Sequence, residues 1–373
     1  MGAIFVLLTM SVGSAYGQEL SLMADSQHPY PLNLGGPLKI GADGDLYTNN
    51  GNGIIRIKGP MEVEQVFTIS GPNSEITLSN PSTWLPQGPI SLDGLVAYEV
   101  DSVGNLYIAG LKSDNVVFIA NNGIVAELIT SEGDGKGNTL GAPKDLEVDT
   151  NGNVYVIGTN PPSVFKIEPN GNTSLILDAS GVQSYPFTNP SKSVIDSDGN
   201  IYVASHFAVF KISAMGESSV YLDFGLDRQI RPYESSALTH LNVDDFGNLY
   251  FVESRDSSTL YRYSTSKGIE RMLGREGDGT GEYECVYQGS SEWSPRICTA
   301  YGNPLISIVD IHVDAAQNVY AAGLISRNIF KVTPTNIVSE MVDFSELENF
   351  NFERLNSFSM DSIGNLYLVH TKV

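Results

Sequence analysis

The sequence predicts an all-β fold, a seven-bladed β-propeller built from four-stranded antiparallel blades, and three observations predict it. A motif of Asp, two variable residues, Gly-Asn, an aliphatic residue and Tyr returns along the chain, as in VDSVGNLYIAGL from Val100, VDTNGNVYVIGT from Val148, IDSDGNIYVASH from Ile195 and VDDFGNLYFVES from Val243. Its Tyr positions, Tyr47, Tyr107, Tyr155, Tyr202, Tyr250, Tyr320 and Tyr367, lie 60, 48, 47, 48, 70 and 47 residues apart. A unit of 47–48 residues with two insertions falls in the range of propeller blades. The 37 glycines and the frequent N-G and D-G pairs call for many turns rather than long helices.

Each unit holds four strand-like runs. In the third they are DLEVD, NVYVIG, SVFKIE and TSLILDA, joined by TNG, a TNPP turn and PNGN. Short strands separated by turn signals read as an antiparallel meander. One such sheet cannot bury both of its faces, whereas several packed radially can. The D-x-x-G-N segment lies between the first two strands, where a hairpin is required. Its Asp can accept backbone N–H groups and its Gly tolerates the positive φ of the turn. Read instead as calcium loops, DTNGN and DSDGN would need an acidic ligand several residues further on, where the chain has strand residues such as Tyr and Val. The motif is therefore expected to be a structural hairpin.

These repeats resemble the NHL-repeat family of β-propellers. GDGKGNTLGAPKDLEVD, from Gly133 to Asp149, is similar to that family's inter-blade linker running into its inner strand, and GREGDGTGE from Gly274 opens the same way. The resemblance covers about residues 36–373 and implies NHL-like blades. It implies little about activity, because relatives include protein- and RNA-binding modules, sensor ectodomains and lyases.

The ends and composition set the surroundings. Residues Ala3 to Val12 of MGAIFVLLTMSVGSAYGQEL are apolar and are followed by small residues, so 1–17 reads as a signal peptide and 18–373 as a single propeller domain, secreted or periplasmic. No other segment reaches membrane-spanning length. Only six residues follow Tyr367, so the last blade is either incomplete or closed by the N-terminus. Closure would use Glu19 to Ala24 as an outer strand and would also need Ala3 to Thr9, which conflicts with a cleaved leader. The formal charge of -22 opposes nucleic acid or an anionic membrane as partner. Cys285 and Cys298 lie in one loop-like stretch and would most simply form a disulfide in an exported protein.

Candidate sites follow from the strand pattern. With the motif Asp as position zero, positions minus one and minus three are almost all apolar, as packing between blades demands. Position minus two reads Lys39, Glu99, Glu147, Val194, Asn242, His312 and Ser359, and position minus four reads Pro37, Ala97, Asp145, Lys192, His240, Asp310 and Ser357. This period-two alternation places two polar rings along a central channel, the second nearer the end that carries the inter-blade linkers, here called the top. The channel is either a wet structural core or a metal or catalytic centre.

Both insertions, Gly71 to Leu95 and Gly274 to Ser307, fall in top linkers. The second carries Tyr283, Tyr287, Trp293, Arg296 and Tyr301, and the preceding linker carries Arg231 and Tyr233. His206 and His370 end second strands and should point to the top. Together these suit a protein, peptide or carbohydrate ligand. The first functional reading is a monomeric secreted binding module that uses its top face and needs no catalytic residue. The alternative is a propeller lyase or hydrolase at the channel. There Glu99, Glu147, Asn242 and His312 would hold a divalent cation such as calcium or zinc, with His240 or Asp145 as base. A third reading is a purely architectural repeat within a larger assembly.

Overall fold

The computed structural model describes residues 4–11, 20–24, 37–41, 44–59, 62–71, 73–78, 90–224, 238–253, 257–279, 282–287, 296–301, 304–344, 354–362 and 364–372. They form an all-β propeller of four-stranded antiparallel blades, with no α-helix among the described residues. Six sheets have four strands. The unit around Tyr47 forms a five-stranded sheet, because Glu75–Leu78, drawn from the first insertion, pairs with the outer strand Glu62–Ser70.

The inner strands are Leu38–Ile40, Leu95–Val100, Pro143–Val148, Lys192–Ile195, Leu238–Val243, Ile308–Val313 and Arg354–Met360. Each contacts the inner strands on either side, and Leu38–Ile40 closes the circle by touching both Leu95–Val100 and Arg354–Met360. Second strands such as Leu106–Gly110 and Val319–Gly323 are buried at every position, because both faces lie against neighbouring blades. Apolar clusters accordingly bridge blades. One joins Ala97, Tyr107 and Val116 of one unit to Leu146, Val154 and Phe165 of the next. Phe165, Phe210 and Phe330 occupy the same place in three units and are fully buried, and truncating any of them to Ala would cost about 3–5 kcal/mol.

The D-x-x-G-N segments are hairpins whose carboxylates are saturated by their own loops. Asp149 Oδ1 accepts the backbone N–H groups of Asn151 (2.9 Å) and Asn153 (2.8 Å). Its Oδ2 accepts Asn153 Nδ2 (2.6 Å) and the Tyr155 hydroxyl (3.3 Å). The pattern recurs at Asp101, Asp196, Asp244 and Asp314. With both oxygens committed, the loop has no use for a cation. Burial, together with the charge of Asp101 and the bond to it, pushes the Tyr107 hydroxyl up to about 12, so it stays a donor. Unit one has Gly41 where the Asp stands elsewhere. There Asp45 pairs with Arg56, whose guanidinium lies 5.7 Å from the centre of the Tyr47 ring. Unit six has Gln317 in place of the Gly, held at φ 62°.

At the last sheet the strand order is Leu20–Ala24, Ile4–Ser11, Asn365–Lys372, Arg354–Met360. The apolar N-terminal run is a strand paired along its whole length, from Ile4 opposite Lys372 to Ser11 opposite Asn365. The N-terminus thus supplies the two strands that the C-terminal segment lacks. A leader cleaved after residue 17 would take one of them away.

The second insertion forms its own hairpin, Glu282–Tyr287 against Arg296–Tyr301, in which Cys285 and Cys298 are direct register partners. Linkers and second-to-third turns share one end of the molecule, as backbone bonds from Leu111 to Gly94, from Thr159 to Gly141 and from His206 to Thr188 show.

Candidate functional site

A cavity of about 480 Å³ runs along the propeller axis, and both rings expected from the strand alternation line it in full. Position minus four is aimed by a feature the sequence does not announce. In five of the inner strands the register slips immediately before that position, at Leu95/Ala97, Pro143/Asp145, Leu238/His240, Ile308/Asp310 and Leu355/Ser357. Such a bulge re-aims the side chain that follows it.

In the lower ring, the Lys39 ammonium donates to Glu99 Oε1. Burial alone would lower the Lys39 pKa, but Glu99, Glu147 and Asp145 outweigh it and hold the ammonium charged well above its ordinary range. Among the described residues Glu147 is in no ion pair, and the Ser193 hydroxyl donates to its Oε1 at 3.4 Å. Burial, and then the charges of Glu99 and Asp145, raise its carboxyl well above the usual range, so it tends to keep its proton.

The upper ring carries an arc across four consecutive units: Asp145, Lys192, His240 and Asp310. Asp145 Oδ2 accepts the Ser193 N–H (2.9 Å), and Lys192 Nζ stands 4.0 Å from the same oxygen. Asp310 accepts the Ile311 N–H at Oδ1 (3.0 Å), with the Ser357 hydroxyl (2.9 Å) and the Phe358 N–H (3.3 Å) at Oδ2. His240 Nδ1 lies 3.1 Å from Thr239 Oγ1. Burial lowers its pKa, the Lys192 cation adds to this, and Asp310 opposes both. Burial likewise lowers His312 against Asp310 and Asp314, and its ring centre lies 6.5 Å from that of Phe358. Both imidazoles are therefore biased toward the neutral form.

The four residues expected to hold a divalent cation do not form a ready ligand set. Glu99 is engaged by Lys39, and Asn242 Oδ1 accepts the backbone N–H of Val243 at 2.8 Å. Glu147 favours its protonated form, and His312 stands beside Phe358. Among the described residues no three His, Cys, Asp or Glu side chains gather as a metal group. The two expected base candidates, His240 and Asp145, do lie in one arc.

Of the expected ligand-binding residues, Trp293, Arg231 and Tyr233 lie outside the described residues. Tyr283, Tyr287 and Arg296 belong to the separate hairpin, with Tyr287 opposite Arg296. His206 is not in the channel; its ring packs edge-on against Phe207 at 4.2 Å. His370 sits in the last sheet, opposite Val6 and Leu355. Sequence reasoning put Lys39, Lys192 and Asp310 in the rings without giving them a role. Their period-two position was the only signal, and pairing across blades gives them one.

No family model matches the chain, and no curated protein matches it. Among solved structures it is similar to a streptogramin B lyase (13% identity, 98% of this chain and 97% of that one, TM-score 0.58). It is similar also to virginiamycin B lyase from Staphylococcus aureus (13% identity, 98% and 99%, TM-score 0.56). A catalytically inactive variant of the latter, with quinupristin, gives a TM-score of 0.53 over the same shares. At this identity the likeness is one of fold.

Proposed function

We propose that the protein is an enzyme of the lyase or hydrolase kind working at the top of the central channel, ahead of the reading as a binding module. One observation carries this: the cavity is lined by both an imidazole whose pKa burial lowers, His240, and a carboxyl whose pKa burial raises, Glu147. Environments that push two titratable groups away from their ordinary values in complementary directions supply a base and an acid at the same pH. His240 would take a proton from the substrate, with Asp310 beside it to favour the imidazolium that results. Glu147 would give a proton to the leaving group. The fold shared with two lyases is consistent with this order of readings. Counting the five-stranded sheet as a blade gives seven, and we retain the kinship with NHL repeats on the motif alone.

The first compounds to test are virginiamycin B and quinupristin, by liquid chromatography and mass spectrometry. Elimination conserves the summed mass of the products, while hydrolysis adds one water. Turnover by the wild type and its loss in a folded His240→Ala variant support the proposal. Equal turnover by both would put the chemistry elsewhere, and no binding of either compound would return weight to a top-face binder of protein, peptide or carbohydrate. Export and a Cys285–Cys298 disulfide belong to the same proposal. The register pairing of the two cysteines supports the disulfide, and a thiol count on protein from an oxidising compartment tests it, two free thiols being the adverse result.

A further inference from the structure

We infer that Lys192 is the docking point for a carboxylate, or an equivalent singly charged oxygen anion, on the molecule that enters the channel. This deepens the reading of the channel as the working site and rests on it. The cavity has two lysines in its wall, and they are committed very differently. Lys39 is held against Glu99, whereas the Lys192 ammonium has no partner among the described residues closer than Asp145 at 4.0 Å, beyond hydrogen-bond distance. Its side chain keeps 45% of its surface open, against 13% for Asp145, and it lines the cavity.

An acidic chain would ordinarily be a poor host for an anion, but each carboxyl in this cavity is hydrogen-bonded, ion-paired or, at Glu147, held above its ordinary pKa. Glu99 is neutralised by Lys39, Glu147 favours its proton, and Asp310 receives three hydrogen bonds from its own wall. Asp145 takes the Ser193 N–H. Lys192 is the more loosely held of the two cations, 4.0 Å from Asp145 and beside His240 in the same upper arc. A single loosely paired ammonium matches a singly charged carboxylate better than a doubly charged phosphate, which would add a second negative charge facing Asp145 and Asp310. Because His240 is the neighbouring unit's residue at the same depth, an acid group on Lys192 would lie next to the imidazole. The substrate class implied is an organic acid, or a compound that becomes one when its acyl group is released.

The test uses the intact protein and two matched probes, phenylacetate and phenylacetamide, in saturation-transfer difference NMR. Phenylacetate should bind saturably and the amide at least about tenfold more weakly, the size expected for a charge-assisted hydrogen bond. Lys192→Met and Lys192→Gln should weaken phenylacetate about tenfold while melting like the wild type, and Lys192→Arg should stay within about threefold. Equal binding of acid and amide, no binding of the acid, or wild-type affinity in both folded neutral variants would each overturn the inference. The enzyme reading is separated by His240→Ala, which should abolish turnover yet still bind phenylacetate. Binding lost only with Lys192, together with turnover indifferent to His240, would keep the docking point and discard the proposed base.

Discussion

Asp149 and Glu147 are two residues apart on one chain, and they live in opposite electrostatic conditions. At the hairpin end, Asp149 places both carboxylate oxygens on donors from its own loop and on Tyr155. On the channel wall, Glu147 faces two other acids and a single long bond from Ser193. The same contrast repeats around the ring. Hairpin carboxylates recur in unit after unit with the same four bonds, whereas the channel residues at positions minus two and minus four differ from one blade to the next. Repetition marks what the blade needs in order to fold, and departure from it marks where the molecule has something particular to do.

The contrast presupposes a closed ring, and opening that ring should have the largest effect. Removing residues 1–24 takes two of the four strands from the last sheet and exposes the edge of Asn365–Lys372. The cooperative thermal transition seen by circular dichroism should be lost or fall by more than about 10 °C. An unchanged melt would instead favour the leader expected from the apolar run.

Next comes the hairpin side of the comparison. Asp149→Ala strands two backbone N–H groups, the Asn153 amide and the Tyr155 hydroxyl, and should cost about 2–3 kcal/mol in urea unfolding. A cost near zero would mean that water replaces the carboxylate, and the hairpins would no longer differ from the channel.

The channel side should respond with the opposite sign. Where Glu147 keeps its proton in the fold and has lost it in the unfolded chain, the folded state binds one more proton. Stability then falls as pH rises from about 4.3, the ordinary Glu value, toward the raised one. Glu147→Gln should remove that slope, which is at most about 1.4 kcal/mol per pH unit, and should be the more stable protein above the window. His240 and His312 act the other way. Burial lowers both, so the folded state binds fewer protons, and stability is lost as pH falls below about 6.5. Urea midpoints measured from pH 4 to 9 separate the two slopes, and a Glu147→Gln profile parallel to wild type would contradict the protonated carboxyl.

The smallest effect returns to the hairpins. Gln317 holds a positive φ where the other units have Gly, so Gln317→Gly should stabilise by up to about 1 kcal/mol. A destabilised variant would show that the Gln side chain contributes more than its backbone costs.

The sequence by itself determined the blade. Period two along each strand, the Asp-Gly-Asn hairpin and the near-constant Tyr spacing are local signals, and they sufficed to predict the four-stranded units and the two rings of the channel. Tertiary structure decided what no local signal carries. It drew Ile4–Ser11 into the last sheet, because an apolar run of eight residues suits a leader and a buried strand equally well. It joined Lys39 to Glu99, 60 positions away, and so dissolved the ligand set expected around Glu99 and Glu147. It left Lys192 lining the cavity while Asp145 turned to Ser193 N–H. The physical reason is common to these cases. A charge in a channel is defined by which blades stand beside it, and that neighbourhood exists only once the ring has closed.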